Sequence, residues 1–160
     1  MAGRKWIVDS GAISITAGAT QVILGVKAPA TTGLIISAAQ ISFEGGGAAT
    51  EKAIKVEYCT WTTDGTGTGL ATPKNANRQD DGSPALTAQY NYTSTSASGS
   101  EGRPSVGENV LRPSFVDGNK GNDSFPGGLV IKAGEVFGIR VTCPAGLTAT
   151  RCIAWIGGDE

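Results

Sequence analysis

Histidine is absent from this chain. That removes Ser-His-Asp and Cys-His catalysis, both of which need an imidazole to move a proton near neutral pH. It also removes HExxH zinc sites and the commonest metal ligand. A GxxxxGK[ST] phosphate loop is missing too. The run Gly65-Thr-Gly-Thr-Gly69 resembles a glycine cradle only in composition; it opens no helical pattern and reads as a flexible loop. There is no excess of basic charge: 13 Lys and Arg stand against 14 Asp and Glu, a net charge of −1. Such a chain carries no broad field for nucleic acid or an anionic membrane. No apolar run approaches the ~18–20 residues of a membrane span. The opening MAGRKWIVDSGAISI lacks the continuous apolar core of a secretory leader, and position 2 is not glycine. Synthesis in the cytoplasm is the expectation. A carboxylate pair is the remaining catalytic option. Glu44, Glu51, Glu57, Glu101, Glu108 and Glu135 each fall at a strand end, a loop or an exposed strand position, where a solvated carboxylate is the plain reading. The chain reads as a non-enzyme without a cofactor.

Cysteine is scarce. Cys59, Cys143 and Cys152 make an odd count, which fits no complete disulfide framework. If Cys143 and Cys152 flank a hairpin turn at 144–148 they are diagonal partners, ~7–8 Å apart, which is awkward for a disulfide. Three reduced, mostly buried thiols are expected.

What is present is glycine, 24 residues of it, with many small and β-branched side chains. No segment sustains a 3.6-residue apolar period, so an all-β domain with many turns is predicted. Strand candidates are 4–8 and 12–16 around an Asp9-Ser-Gly11 turn, then 19–27 and 33–44. In 33–44, Leu34 and Ile36 share one parity and Ala39, Ile41 and Phe43 the other, which calls for a bulge near Ala38-Ala39. Further candidates are 52–62, 85–92, 108–116 (interrupted by Pro113), 129–131, 136–141 and 150–156. Ala133-Gly134-Glu135 marks a tight turn. From 63 to 107 the chain is mostly Gly-, Ser-, Thr- and Pro-rich. The fold expected is a single jelly-roll-like β-sandwich of about eight to ten strands with a long irregular insertion. Residues 1–10 form an N-terminal arm, 11–160 the jelly-roll domain, and 63–107 the loop-rich segment within it.

Two groups of residues call for binding chemistry. Asp117, Asn119 and Asp123 space oxygen donors as a short calcium loop does. The same composition serves a bare surface turn, and no bidentate Glu follows. Tyr90 and Tyr92 share a parity and would stack a sugar, or pack in an oligomer, if their face of the strand were open. Trp61 and Trp155 read as core or interface residues.

The order of segments has a parallel. QVILGVKAPATTG at 21–33 is followed by a strand, then by VEYCTWTTDGTGTG, by VGENV at 106–110, and by the closing GGLVIKAGEVFGIRVTCPAGLTATRCIAWI. This order, over 19–156, resembles the small jelly-roll virion proteins of tailed bacteriophages: head decoration or cement proteins and related minor structural proteins. The resemblance implies a homotrimer on the capsid exterior that clamps major capsid subunits and needs neither cofactor nor metal. Nucleic acid and membrane are not expected partners. Trp6 and Ile7 on the arm, with the 63–107 segment and its Tyr90 and Tyr92, would make the contacts. The alternative is a receptor- or carbohydrate-binding jelly-roll module, such as a fibre or spike tip.

Overall fold

The computed structural model describes residues 4–44, 54–62, 65–76, 82–94, 101–103, 108–111, 120–146 and 150–160. All secondary structure among them is extended. The strands are β1 (Lys5–Ile15), β2 (Thr20–Lys27), β3 (Leu34–Glu44), β4 (Ile54–Trp61), β5 (Thr66–Ala71), β6 (Lys74–Asn75), β7 (Thr87–Ser94), β8 (Glu101–Arg103), β9 (Glu108–Leu111), β10 (Lys120–Ile131), β11 (Val136–Thr142) and β12 (Thr150–Asp159). They pair antiparallel in two sheets. One runs β10-β3-β12-β1-β6; the other runs β5-β7-β2-β11-β4-β8, with β9 also on β4.

The chain alternates between the sheets. β1, β3, β10 and β12 lie in one sheet, and β2, β4, β9 and β11 in the other. The spatial orders β1-β12-β3-β10 and β2-β11-β4-β9 are those of a jelly roll, eight strands in two Greek keys. β8 and β9 share the outer edge of β4, β9 along Ile54–Glu57 and β8 at Thr60–Trp61. The expected jelly-roll sandwich is therefore what the chain forms.

The inner faces build the core from alternating residues: Trp6, Val8 and Ile13 of β1, Ile54, Val56 and Tyr58 of β4, Phe137, Ile139 and Val141 of β11, and Cys152, Ala154 and Ile156 of β12. The bulge in β3 is real. Gly157 pairs with Ala38 and Gly158 with Ile36, so Ser37 is the extra residue. It passes the buried parity from Leu34 and Ile36 to Ala39 and Ile41.

The Ala133-Gly134-Glu135 corner turns as expected, with Gly134 at φ +75°. The Glu135 amide donates to the Lys132 carbonyl at 3.0 Å, and the Glu135 carboxylate accepts from the Lys132 amide at 3.0 Å. Its role is topological: β10 and β11 belong to different sheets, so the corner crosses the sandwich. The connection from β11 to β12 crosses in the same way. Cys143 and Cys152 therefore do not flank a hairpin; all three cysteines are free and buried, as expected.

Two expectations need correction. Residues 5–10 are not an arm outside the sandwich. β1 runs unbroken from Lys5 to Ile15, pairs with β12 from Lys5–Asp159 to Ile15–Thr150, and passes Asp9-Ser-Gly11 as a bulge rather than a turn. Nor is the described part of 63–107 simply irregular. β5 and β7 pair with each other, β7 pairs with β2, and β6 pairs with β1. The glycines of β5 hid it from a pattern search. Gly67 and Gly69 stand where the Gln89 and Tyr90 side chains of β7 lie across the strand, leaving no room for a Cβ.

Candidate functional site

The outer face of the five-stranded sheet carries a concave site. Its strands are locked in register, which fixes three rows of neighbours. Lys5, Asp159 and Ile35 form one row; Ile7, Gly157 and Ala38 the next; Asp9, Trp155 and Gln40 the third. The middle row contains a glycine and an alanine, so it leaves a hollow of about 230 Å³ between its larger neighbours. Lys5, Ile7, Ser37, Ala38, Trp155 and Gly157 are among the residues that line it. The indole of Trp155 is held in place. Its Nε1 donates to Gln40 Oε1 at 2.9 Å. Its ring leans over Gly157, where a Cβ would just touch Cζ3 at 3.4 Å. Beside the hollow, Ser37 Oγ donates to Asp159 Oδ2 at 3.0 Å. The bulge that sets the buried parity of β3 thus also delivers a hydroxyl to the rim.

Of the residues singled out from sequence, Ile7 and Trp155 line the hollow, Trp6 borders it from the core side, and the others fall elsewhere. Trp6 is 1 % exposed and belongs to the core, so it cannot anchor a partner without leaving the sandwich. Ile7, the next residue, points outward at 37 % exposure and lines the hollow. Tyr90 and Tyr92 do not make a shared platform. Asn91 adopts φ +48°, a conformation Asn tolerates better than most side chains, and this breaks the alternation between them. Tyr90 is half-buried against the main core. Tyr92 is buried beside Trp61, the rings meeting edge-on with centroids 5.9 Å apart. Asp117 and Asn119, and the side chain of Asp123, lie outside the described residues. Among the described residues no group of three His, Cys, Asp or Glu is placed to hold a metal ion.

The shifted pKa values have structural causes, burial or a charged neighbour. Burial of Glu57 works to raise its pKa, but the Arg140 guanidinium at 2.9 Å and the Lys55 ammonium at 3.0 Å outweigh it and hold the carboxyl below its usual value. Burial pushes the Cys143 thiol up to about 11 and, with Cys143 adding to the effect, the Cys152 thiol up to about 12. Cys59 is raised by burial as well. None of the three is an activated nucleophile.

Sequence reasoning missed the grouping of Ser37, Trp155, Gly157 and Asp159. The signal was the WIGGD ending of β12, in which a large aromatic and a glycine two residues apart share a face. Its meaning depends on which strands flank it, and that is a property of the topology. No protein-family model matches the chain, and a search of the curated proteins finds no significant match.

Proposed function

We propose that the protein is a structural virion protein that decorates a phage capsid. As a homotrimer on the capsid exterior, it binds neighbouring major capsid subunits and stabilises the shell by added interface. The observation that carries this reading is the strand order: the segments that resemble decoration proteins in sequence fold into a jelly roll. The insertion adds support. β5 ends the seven-stranded sheet, and among the described residues no strand covers its outer edge. Its Leu70 is 78 % exposed. An open edge with an exposed leucine is a place where another chain pairs or packs. Repetition over a shell makes even modest interfaces effective, because each attached copy holds its neighbours at high local concentration.

Co-sedimentation with capsids that lack the protein tests this. The protein pellets with the shells and saturates at a fixed ratio to the capsid subunit, and Leu70→Lys lowers the affinity without lowering the melting temperature. A protein that stays in the supernatant at all concentrations contradicts the reading.

A further inference from the structure

We infer that the hollow beside Trp155 is a saccharide site that takes one pyranose ring of a larger glycan. This goes beyond capsid attachment and does not depend on it: the hollow lies on the five-stranded sheet, whereas the open β5 edge ends the other one.

Size comes first. Sites for drug-sized ligands run to about 300–1,000 Å³. A hollow of about 230 Å³ holds a single ring and leaves the rest of the ligand in solvent. The apolar part of the lining includes Ile7, Ala38, Ala76 and Trp155, with Gly157 between them, which suits the C–H face of a sugar. Those hydrogens carry partial positive charge and an aromatic face carries partial negative charge, so the two attract. The indole is already fixed by Gln40 and by its seat over Gly157, so little freedom is lost when a ring stacks on it.

Polar chemistry then selects the ligand class. Asp159 uses Oδ2 to accept from Ser37, and its Oδ1, which has no partner among the described residues, can accept from a sugar hydroxyl. Lys5, paired with Asp159 across the two strands and lining the hollow, has an ammonium to donate to another. The Lys5 and Asp159 charges offset each other, so the site has no net positive charge to hold the phosphates of a nucleotide. A wholly apolar protein side chain would dehydrate Ser37 and Asp159 without replacing their water, which costs free energy. A neutral polyol with one apolar face satisfies both parts of the site.

The test uses the full-length protein and three probes: the methyl β-glycosides of glucose, galactose and N-acetylglucosamine. Binding is followed by the Trp155 indole N–H resonance and by upfield ring-current shifts of the glycoside C–H lines. At least one probe gives saturable shifts. Asp159→Asn weakens its binding at least fivefold. Gly157→Ala, whose methyl fits at contact distance but stands on the floor where the ring would stack, weakens it by at least as much. Thermal melts show whether the variants remain folded. If Gly157→Ala melts early, Asp159→Asn alone decides, and unchanged affinity in that variant overturns the inference. Failure of all three probes to give saturable shifts also overturns it. Loss of capsid attachment in a folded Gly157→Ala, with no glycoside bound by the parent, makes the hollow a protein socket instead.

Discussion

Trp61 lies across Gly138. A Cβ on residue 138 would sit 2.5 Å from Trp61 Cη2 and 2.8 Å from the Leu24 carbonyl oxygen. The two residues come from adjacent strands, β4 and β11, and the glycine lets a large ring lie down on the outer face of the sheet. With Val22, Cys59, Tyr92 and Val136 the ring forms a second apolar cluster, apart from the main core. Gly138→Ala must displace the indole or the β2 backbone. It should cost about 1–3 kcal/mol in urea unfolding, the usual cost of overpacking. Wild-type stability in this variant would mean that Trp61 does not lie there.

Trp6 gives the opposite prediction to an exposed anchor. It is 1 % exposed and packs in the sandwich core. Trp6→Ala should destabilise the fold by about 3–5 kcal/mol. Removing residues 1–8 deletes the first four of the 11 residues of a strand that pairs along β12, so the truncated chain should fail to fold. A soluble truncation with the parent's circular dichroism spectrum and melting temperature would restore the arm.

Acid should release the Glu57 cluster. The folded-state pKa of Glu57 is depressed, so its contribution is complete above the unfolded value of 4.5 and is lost as pH falls through the folded value. Glu57→Gln should cost about 1 kcal/mol at pH 7. The gap between variant and parent should narrow as pH falls below 4.5. A gap that is constant from pH 7 to pH 3 would show that charge is not its source.

Alkali acts through the thiols. Cys143 and Cys152 have folded-state values near 11 and 12 against an ordinary 9.0. Values raised in the folded state mean full stability below pH 9 and a decline as pH rises through 11 to 12. At pH 8 the native protein should react with a thiol reagent far more slowly than the urea-unfolded chain, in which all three cysteines titrate. Equal rates would place the thiols at the surface.

Much of this architecture was legible in the chain because local signals agreed. The parity change between Ile36 and Ala39 demanded a bulge, and Ser37 supplies it. The glycine corner at 134 could only be a turn. Where signals conflicted, the reading failed. Trp6 and Val8 alternate with Lys5 and Asp9 as a strand should, but Ile7 on the outer face blurred the pattern and made the segment look like a doubly apolar arm. β5 carries Thr-Gly repeats of low strand propensity, and its glycines make sense only once Tyr90 and Gln89 lie over them. Tyr90 and Tyr92 were separated by a single positive φ at Asn91, which no periodicity encodes. The hollow at Trp155 needs three strands from the two ends and the first third of the chain, so it became visible only with the strand order.

The most direct test of the capsid account is imaging of the virion. A cryo-electron microscopy reconstruction of particles carrying the protein, compared with particles lacking it, should show threefold density outside the shell. The jelly roll described here should fit that density, with the β5 edge against major capsid subunits. Identical shells in the two reconstructions, together with a monomeric 16.2 kDa species in light scattering, would contradict it.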